Sequence, residues 1–394
     1  MFGNDLFSGA RRSGNLFSSL KPLSSGSSTT RDRTVTTSSQ NSLGENKKIE
    51  DPSLNNYISN HLTFMDGKKL QYVSKPLVEK KVDDLRVGIF TWNLEDVNLC
   101  AYGKEKTFFK RCVRADFAEK LFKEMKSVDI LTVSLKGGGN SEKFIDSLLR
   151  ENILNGYKAK SVKEKKGPAN LVLFYKKSLD NLLSTKGRTK LLECKEDGKD
   201  PLFFSTSSAA NIIEIGYAEK NLFLFFVSAI LPSTKEGRNV CLERIIGEIE
   251  KEKKGDWSAV YFISGDLKYQ IDTPEKIPRL ESVKTYYQKD ELALFLKGKE
   301  YSETPIEFLP TCHVEKTKTE SKDGKKRYRE YVDVEKEPPS WCDRIIYKSK
   351  GKIDITPLRY DDMDYGDAVT FSSHKPVVGI YDIKKKSESF QSVR

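Results

Sequence analysis

No C-x-x-C pair occurs in this 394-residue chain; its six cysteines, Cys100, Cys112, Cys194, Cys241, Cys312 and Cys342, are scattered. That spacing argues against a structural zinc site. No run of about twenty apolar residues is present, and no secretory leader pattern, so any membrane contact should be peripheral. The chain reads as cytosolic, with its thiols reduced. Hydrophobic residues make up only 37% of it, which implies a substantial share of solvated or unstructured sequence. Acidic residues are outnumbered, 57 against 68 Lys plus Arg, for a net charge of +11. Such a surplus favours anionic partners such as phosphorylated headgroups or membrane surfaces. No domain-scale repeat is visible, which sets solenoid architectures aside.

What is present divides unevenly. Residues 1–50 are rich in Ser, Thr, Gly and Arg without hydrophobic period, a composition that buries too little apolar surface to fold. Two similar tetrapeptides, Asp5-Leu6-Phe7-Ser8 and Asn15-Leu16-Phe17-Ser18, make this tail a candidate for docking a protein partner. Residues 51–80 form a lead-in, residues 81–384 the folded domain, and residues 385–394 a short tail. Strands are expected over Val87–Asn93, Ile130–Leu135, Leu171–Tyr175, Ile212–Ile215, Leu222–Ile230 and Val260–Ser264. Amphipathic spacing predicts helices over Ala115–Met125, Phe144–Leu154 and Val240–Lys251. Adjacent strand runs favour a two-sheet α/β sandwich with outer helices over a single doubly wound sheet.

The most specific stretch is Pro338-Pro339-Ser340-Trp341-Cys342-Asp343-Arg344-Ile345-Ile346. It resembles the Trp-Cys-Asp-Arg signature of inositol polyphosphate 5-phosphatases, with a synaptojanin-like catalytic domain, in the endonuclease/exonuclease/phosphatase superfamily. Further segments resemble the family's landmarks in order: Phe90-Thr91-Trp92-Asn93, Ser264-Gly265-Asp266-Leu267-Lys268-Tyr269, Phe308-Leu309-Pro310-Thr311 and Ser373-His374-Lys375-Pro376. The superfamily also contains DNA-repair nucleases, but the Trp-Cys-Asp-Arg run points to the inositol branch and away from nucleic acid.

The resemblance implies Mg²⁺-assisted attack of water on a phosphate monoester. It implies catalytic roles for Asn93, Asp266, Asp343 and His374, with Asn93 also facing the metal. It implies substrate contacts from Lys268, Arg344, Lys375, Arg238 and Asn239. Several family positions are altered. The metal-binding Glu falls at Lys136 or Gly137, which offer no carboxylate, and a hard cation needs anionic oxygen. A phosphate-contacting His is Ala229, the phosphate-holding Asn is Lys268, and the Asp before the last His is Ser373. The implied ligand is a phosphoinositide or inositol phosphate. The expected reading is a pseudophosphatase or very weak enzyme that binds such ligands, a membrane or a protein; the alternative is an active Mg²⁺-dependent 5-phosphatase with a remodelled metal site. Basic loops at Lys163–Pro168 and Val314–Arg329 are expected at the rim of the site.

Overall fold

The computed structural model describes residues 84–94, 125, 127–137, 156–162, 169–186, 209–251, 256–272, 282–314, 338–363 and 372–386. The N-terminal tail, the lead-in, the helices expected over 115–125 and 144–154, and both basic loops fall wholly or almost wholly outside these residues.

Twelve described strands form two mixed six-stranded sheets. The first contains β1 (Leu85–Asn93), β2 (Ile130–Lys136), β3 (Tyr157–Val162), β4 (Ala169–Lys176), β11 (Ile353–Asp362) and β12 (Val377–Lys385), in the order β11-β12-β1-β2-β4-β3. The second contains β5 (Leu183–Lys186), β6 (Ala209–Tyr217), β7 (Leu222–Ile230), β8 (Ser258–Asp266), β9 (Ser302–Glu303) and β10 (Asp343–Lys350), in the order β5-β6-β7-β8-β10-β9. Each sheet has one parallel pair at its centre, β1 with β2 and β7 with β8; its other neighbours run antiparallel. The expected two-sheet sandwich is the observed fold.

Period-two alternation assigns the two faces of the second sheet. Leu224, Phe226, Val260, Phe262 and Ile345 join Val87, Ile89, Leu171, Leu173 and Tyr381 of the first sheet in the inter-sheet core. The intervening Phe225, Val227, Tyr261 and Ile263 face the other way and meet α1 (Lys235–Glu250) and α3 (Glu291–Leu296). A helix on that face explains why β7 reads as a continuous apolar run rather than an alternating one. Phe226 stacks on its register partner Phe262 with ring centroids 5.7 Å apart, and Phe225 on Tyr261 at 4.9 Å. Burying each such ring contributes roughly 1.5–3 kcal/mol.

Helix α1 starts five residues earlier than apolar spacing suggests. Thr234 caps it, its side chain accepting from the Gly237 N–H at 3.2 Å, and Cys241, Leu242, Ile245 and Ile249 form its buried stripe. A short helix α2 (Val283–Gln288) precedes α3. Lys384, the last residue of the expected domain, and Lys385 belong to β12, opposite Asp354 and Ile353, so the sheet continues into the basic run.

Gly265 of β8 lies opposite Ala229 of β7. Its φ is 137°, and a Cβ there would lie 2.0 Å from the Ala229 carbonyl oxygen. Neither strain can be relieved by turning a side chain. Gly265→Ala is expected to cost at least about 2 kcal/mol, the scale of a residue forced into a glycine-only backbone region. A urea titration showing an unchanged midpoint would contradict this.

Candidate active site

The ends of four strands and one loop meet where the sheets open. Asn93 closes β1, Lys136 closes β2, Asp266 closes β8, Asp343 opens β10, and His374 lies just before β12. All but Lys136 are almost wholly buried. The Asn93 amide group donates to Asp266 Oδ2 at 3.0 Å and to His374 Nε2 at 3.1 Å. Its backbone N–H donates to Asp343 Oδ1 at 3.0 Å. The other Asp343 oxygen accepts from His374 Nδ1 at 2.6 Å. In the neutral imidazole these bonds place the proton at Nδ1, on Asp343, with Nε2 toward Asn93. The four residues expected to converge, Asn93, Asp266, Asp343 and His374, therefore form one hydrogen-bonded cluster.

Lys136 completes it. Its ammonium lies 3.0 Å from Asp266 Oδ2, the same oxygen that accepts from Asn93. Gly137, at φ 128°, ends the segment without a side chain. Burial pushes the Asp266 carboxyl up, but Lys136, His374 and Lys268 together outweigh it and hold the group below the ordinary carboxylate value. Asp343 goes the opposite way: burial raises it, and the His374 contact offsets only part of that. Asp266 Oδ1 is buried and accepts no hydrogen bond among the described residues.

The described residues alone do not make a fit for Mg²⁺. A hard divalent cation seeks several oxygen ligands, usually including carboxylates. Here the Asp266 carboxylate already pairs with the Lys136 ammonium, and both Asp343 oxygens accept hydrogen bonds from Asn93 and His374. Glu95, the next acid along from Asn93, lies outside the described residues.

The expected phosphate ligands fare differently from one another. Lys268 is half-buried, has φ 54°, and contributes to the field on Asp266. Arg344 is a correction. It is fully buried, with Nε donating to Glu303 at 2.7 Å, two nitrogens reaching Asp290 at 2.9 and 3.0 Å, and a further bond to Glu303. A fifth contact goes to the Trp341 carbonyl. Its guanidinium is spent on holding β10 to β9 and α3, not on a ligand. Arg238 is likewise engaged, with Glu291 and the Ser233 carbonyl, and Asn239 accepts from the buried Tyr269 hydroxyl at 3.0 Å. Arg238 thus ties α1 to α3, and Asn239 ties α1 to the segment after β8. Lys375 pairs with Asp362 at 3.3 Å.

Sequence reasoning overlooked the layer behind the cluster. Ser372 Oγ donates to the Asn93 carbonyl at 2.6 Å and accepts from the His374 N–H at 3.0 Å. Trp92 Nε1 donates to the His374 carbonyl at 3.0 Å. Trp92 stands inside the Phe-Thr-Trp-Asn motif and Ser372 adjoins the Ser-His-Lys-Pro motif, the signal that could have flagged their supporting roles. Cys312 and Cys342, expected as reduced thiols, are joined in a disulfide beside His374. The 30-residue separation hid them, and the backbone pairing of Cys312 with Ser340 brings them together.

Comparison with known proteins agrees with this architecture. The family model described as Endonuclease/Exonuclease/phosphatase family 2 matches residues 112–380. The chain belongs to that family. Its domain is 5-phosphatase-like. It is 30% identical over 128 residues to type II inositol 1,4,5-trisphosphate 5-phosphatase of Mus musculus, covering 30% of this chain and 11% of that protein. It is 30% identical over 138 residues to phosphatidylinositol 3,4,5-trisphosphate 5-phosphatase 2 of Sus scrofa, covering 32% and 10%. The match thus spans about a tenth of either relative. Among solved structures, the inositol polyphosphate 5-phosphatase domain of spsynaptojanin, in complex with inositol (1,4)-bisphosphate and calcium ion, aligns with a TM-score of 0.52 at 18% identity, over 77% of this chain and 86% of that one. A Cimex nitrophorin ferrous NO complex aligns equally well, TM-score 0.52 at 16% identity, over 77% and 100%. A shared fold does not fix function, so the site must decide it.

Proposed function

We propose that this chain is a pseudophosphatase: it binds a phosphorylated inositol headgroup and turns it over little or not at all. The observation that carries this reading is the Lys136 ammonium, 3.0 Å from Asp266 Oδ2. Phosphoryl transfer is catalysed mainly by positioning and charge stabilisation, in which a metal ion supplies much of the positive charge. A tethered lysine supplies one unit of charge, cannot bind and activate a water, and neutralises the carboxylate that would orient one. Ala229 and Ser373 remove two further polar groups that the resemblance assigns to the phosphoryl site. Losing one electrostatic contributor typically costs on the order of 10²–10³ in rate, and losses within one catalytic unit do not simply multiply.

Binding is a lesser demand. Lys268 beside the cluster is suited to hold a phosphate as a point charge, and the net charge of +11 favours anionic ligands and membrane surfaces in general. The second reading is a slow Mg²⁺-dependent 5-phosphatase. It is favoured by the intact Asn93, Asp266, Asp343 and His374 network and by Asp266 Oδ1, a buried acceptor open to a water proton.

Phosphate release from a 5-phosphorylated inositol lipid with Mg²⁺, beside an Asp266→Ala control, separates the two. We expect release at the level of the control, together with saturable headgroup binding that weakens at least tenfold in Lys268→Glu. Release that Asp266→Ala abolishes would establish the enzyme instead. Absence of both release and binding would remove inositol phosphates as ligands altogether.

A further inference from the structure

Two of the six cysteines and two of the three histidines gather at one point of this fold. Cys312, Cys342 and His374 are all buried, and one ligand atom from each lies within 4.8 Å of the others. His313, next to Cys312 in sequence, packs edge-on to His374 with ring centroids 5.3 Å apart. Atoms sharing one tetrahedral metal lie about 3.5–3.8 Å from each other, given metal–sulfur and metal–nitrogen bonds of ~2.3 and ~2.0 Å. Once the sulfur–sulfur bond is broken, reaching that spacing asks for rotation of the cysteine side chains on a fixed backbone frame. That frame is firm: Cys312 and Ser340 exchange backbone hydrogen bonds at 3.1 and 2.8 Å, and Cys342 leads directly into β10.

We propose that the reduced form of this cluster binds a borderline-soft divalent cation, Zn²⁺ by preference, through the Cys312 and Cys342 thiolates and His374, with His313 as the further donor. Thiolate and imidazole donors select this metal class over Mg²⁺. Asp343, bonded to His374 Nδ1 at 2.6 Å, is the carboxylate that orients a metal-binding imidazole, and Nε2 becomes the ligand atom by exchanging the Asn93 amide at 3.1 Å for the cation. The disulfide is the metal-free state of the same site. A small-molecule disulfide accepts two electrons from the two bound thiolates. The Cys312–Cys342 bond forms, the oxidant's sulfur–sulfur bond breaks into two thiolates, and the cation leaves.

The full-length chain, reduced with a phosphine under anaerobic conditions and freed of excess reductant, is titrated with Co²⁺ and with Zn²⁺. We expect one equivalent bound, a cobalt–thiolate charge-transfer band, and Zn²⁺ protection of Cys312 and Cys342 from alkylation as mapped by mass spectrometry. The band should vanish in Cys312→Ser, in Cys342→Ser and in the chain oxidised with glutathione disulfide. Circular dichroism of the variants separates lost binding from lost folding, and the alkylation pattern of the unsubstituted chain does not depend on them. A band retained in both serine variants would place the metal on other cysteines and overturn the proposal. So would alkylation of Cys312 and Cys342 that proceeds equally with and without Zn²⁺.

Discussion

Replacing Arg344 with methionine is expected to destabilise the folded chain by roughly 3–5 kcal/mol, the cost of breaking a buried ion pair and leaving its partner charged. Arg344, Asp290 and Glu303 all have side chains without solvent exposure. Methionine would fill much of the volume but leave two carboxylates facing each other with fewer donors. Asp290 would keep the Ala293 N–H at 2.9 Å, and Glu303 the Tyr360 hydroxyl at 2.7 Å. Burial already holds the Glu303 carboxyl above its ordinary value, against the pull of Arg344. Without that pull the carboxyl rises further. A raised carboxyl costs stability once pH exceeds its unfolded value, and the cost is relieved as pH falls through the folded one. The deficit of Arg344→Met should therefore be largest near neutral pH and shrink in acid. Urea denaturation at several pH values measures this. A deficit below about 1 kcal/mol, or one independent of pH, would contradict the assignment of Arg344 as a structural cation and return it to the candidate ligand site.

The outcome for Arg344 illustrates which parts of the molecule were legible from sequence. Strand runs such as Val87–Asn93 and Leu222–Ile230 announced themselves because they are buried on both faces and so are largely apolar. The order of the motifs fixed which strand ends would meet, and Asn93, Asp266, Asp343 and His374 do meet. A motif residue's partner is another matter. Arg344 stands one position from Asp343, yet alternation along β10 sends the two side chains to opposite faces, one toward the cluster and one toward Asp290 and Glu303. Arg238, implied by the resemblance as a substrate contact, lies on the buried side of α1 and pairs with Glu291. The cysteine pair was invisible because nothing in a spacing of 30 residues reports a backbone bridge between Cys312 and Ser340. Position in a motif thus located residues in the fold, whereas their chemistry depended on the face and the neighbour.

Lys136→Met tests that dependence at the candidate site itself, with an expected loss of about 3 kcal/mol. The lysine ammonium is a quarter exposed, but the Asp266 carboxyl it neutralises is 1% exposed, so solvent cannot replace the lost charge. Asn93 would remain as a donor to Asp266 Oδ2. With Lys136 in place, Asp266 titrates below its ordinary value and so stabilises the fold above pH ~4, a contribution lost as pH falls through the depressed value. Removing Lys136 lets burial dominate, the carboxyl moves up, and the sign of its contribution reverses. The difference between the two proteins should therefore be greatest near pH 7 and fade below pH ~4. If the ammonium stands in for a cation, the variant should also acquire a response to Mg²⁺ that the parent lacks. At ten times its dissociation constant a bound ion would restore about 1.4 kcal/mol. Thermal melts with and without Mg²⁺ read both effects. A parent chain that Mg²⁺ itself stabilises would show that a metal site coexists with Lys136. That result would withdraw the main support for a pseudophosphatase. A variant as stable as the parent at pH 7 would show that Asp266 needs no positive partner, and Lys136 would then be an incidental neighbour rather than the replacement for a metal.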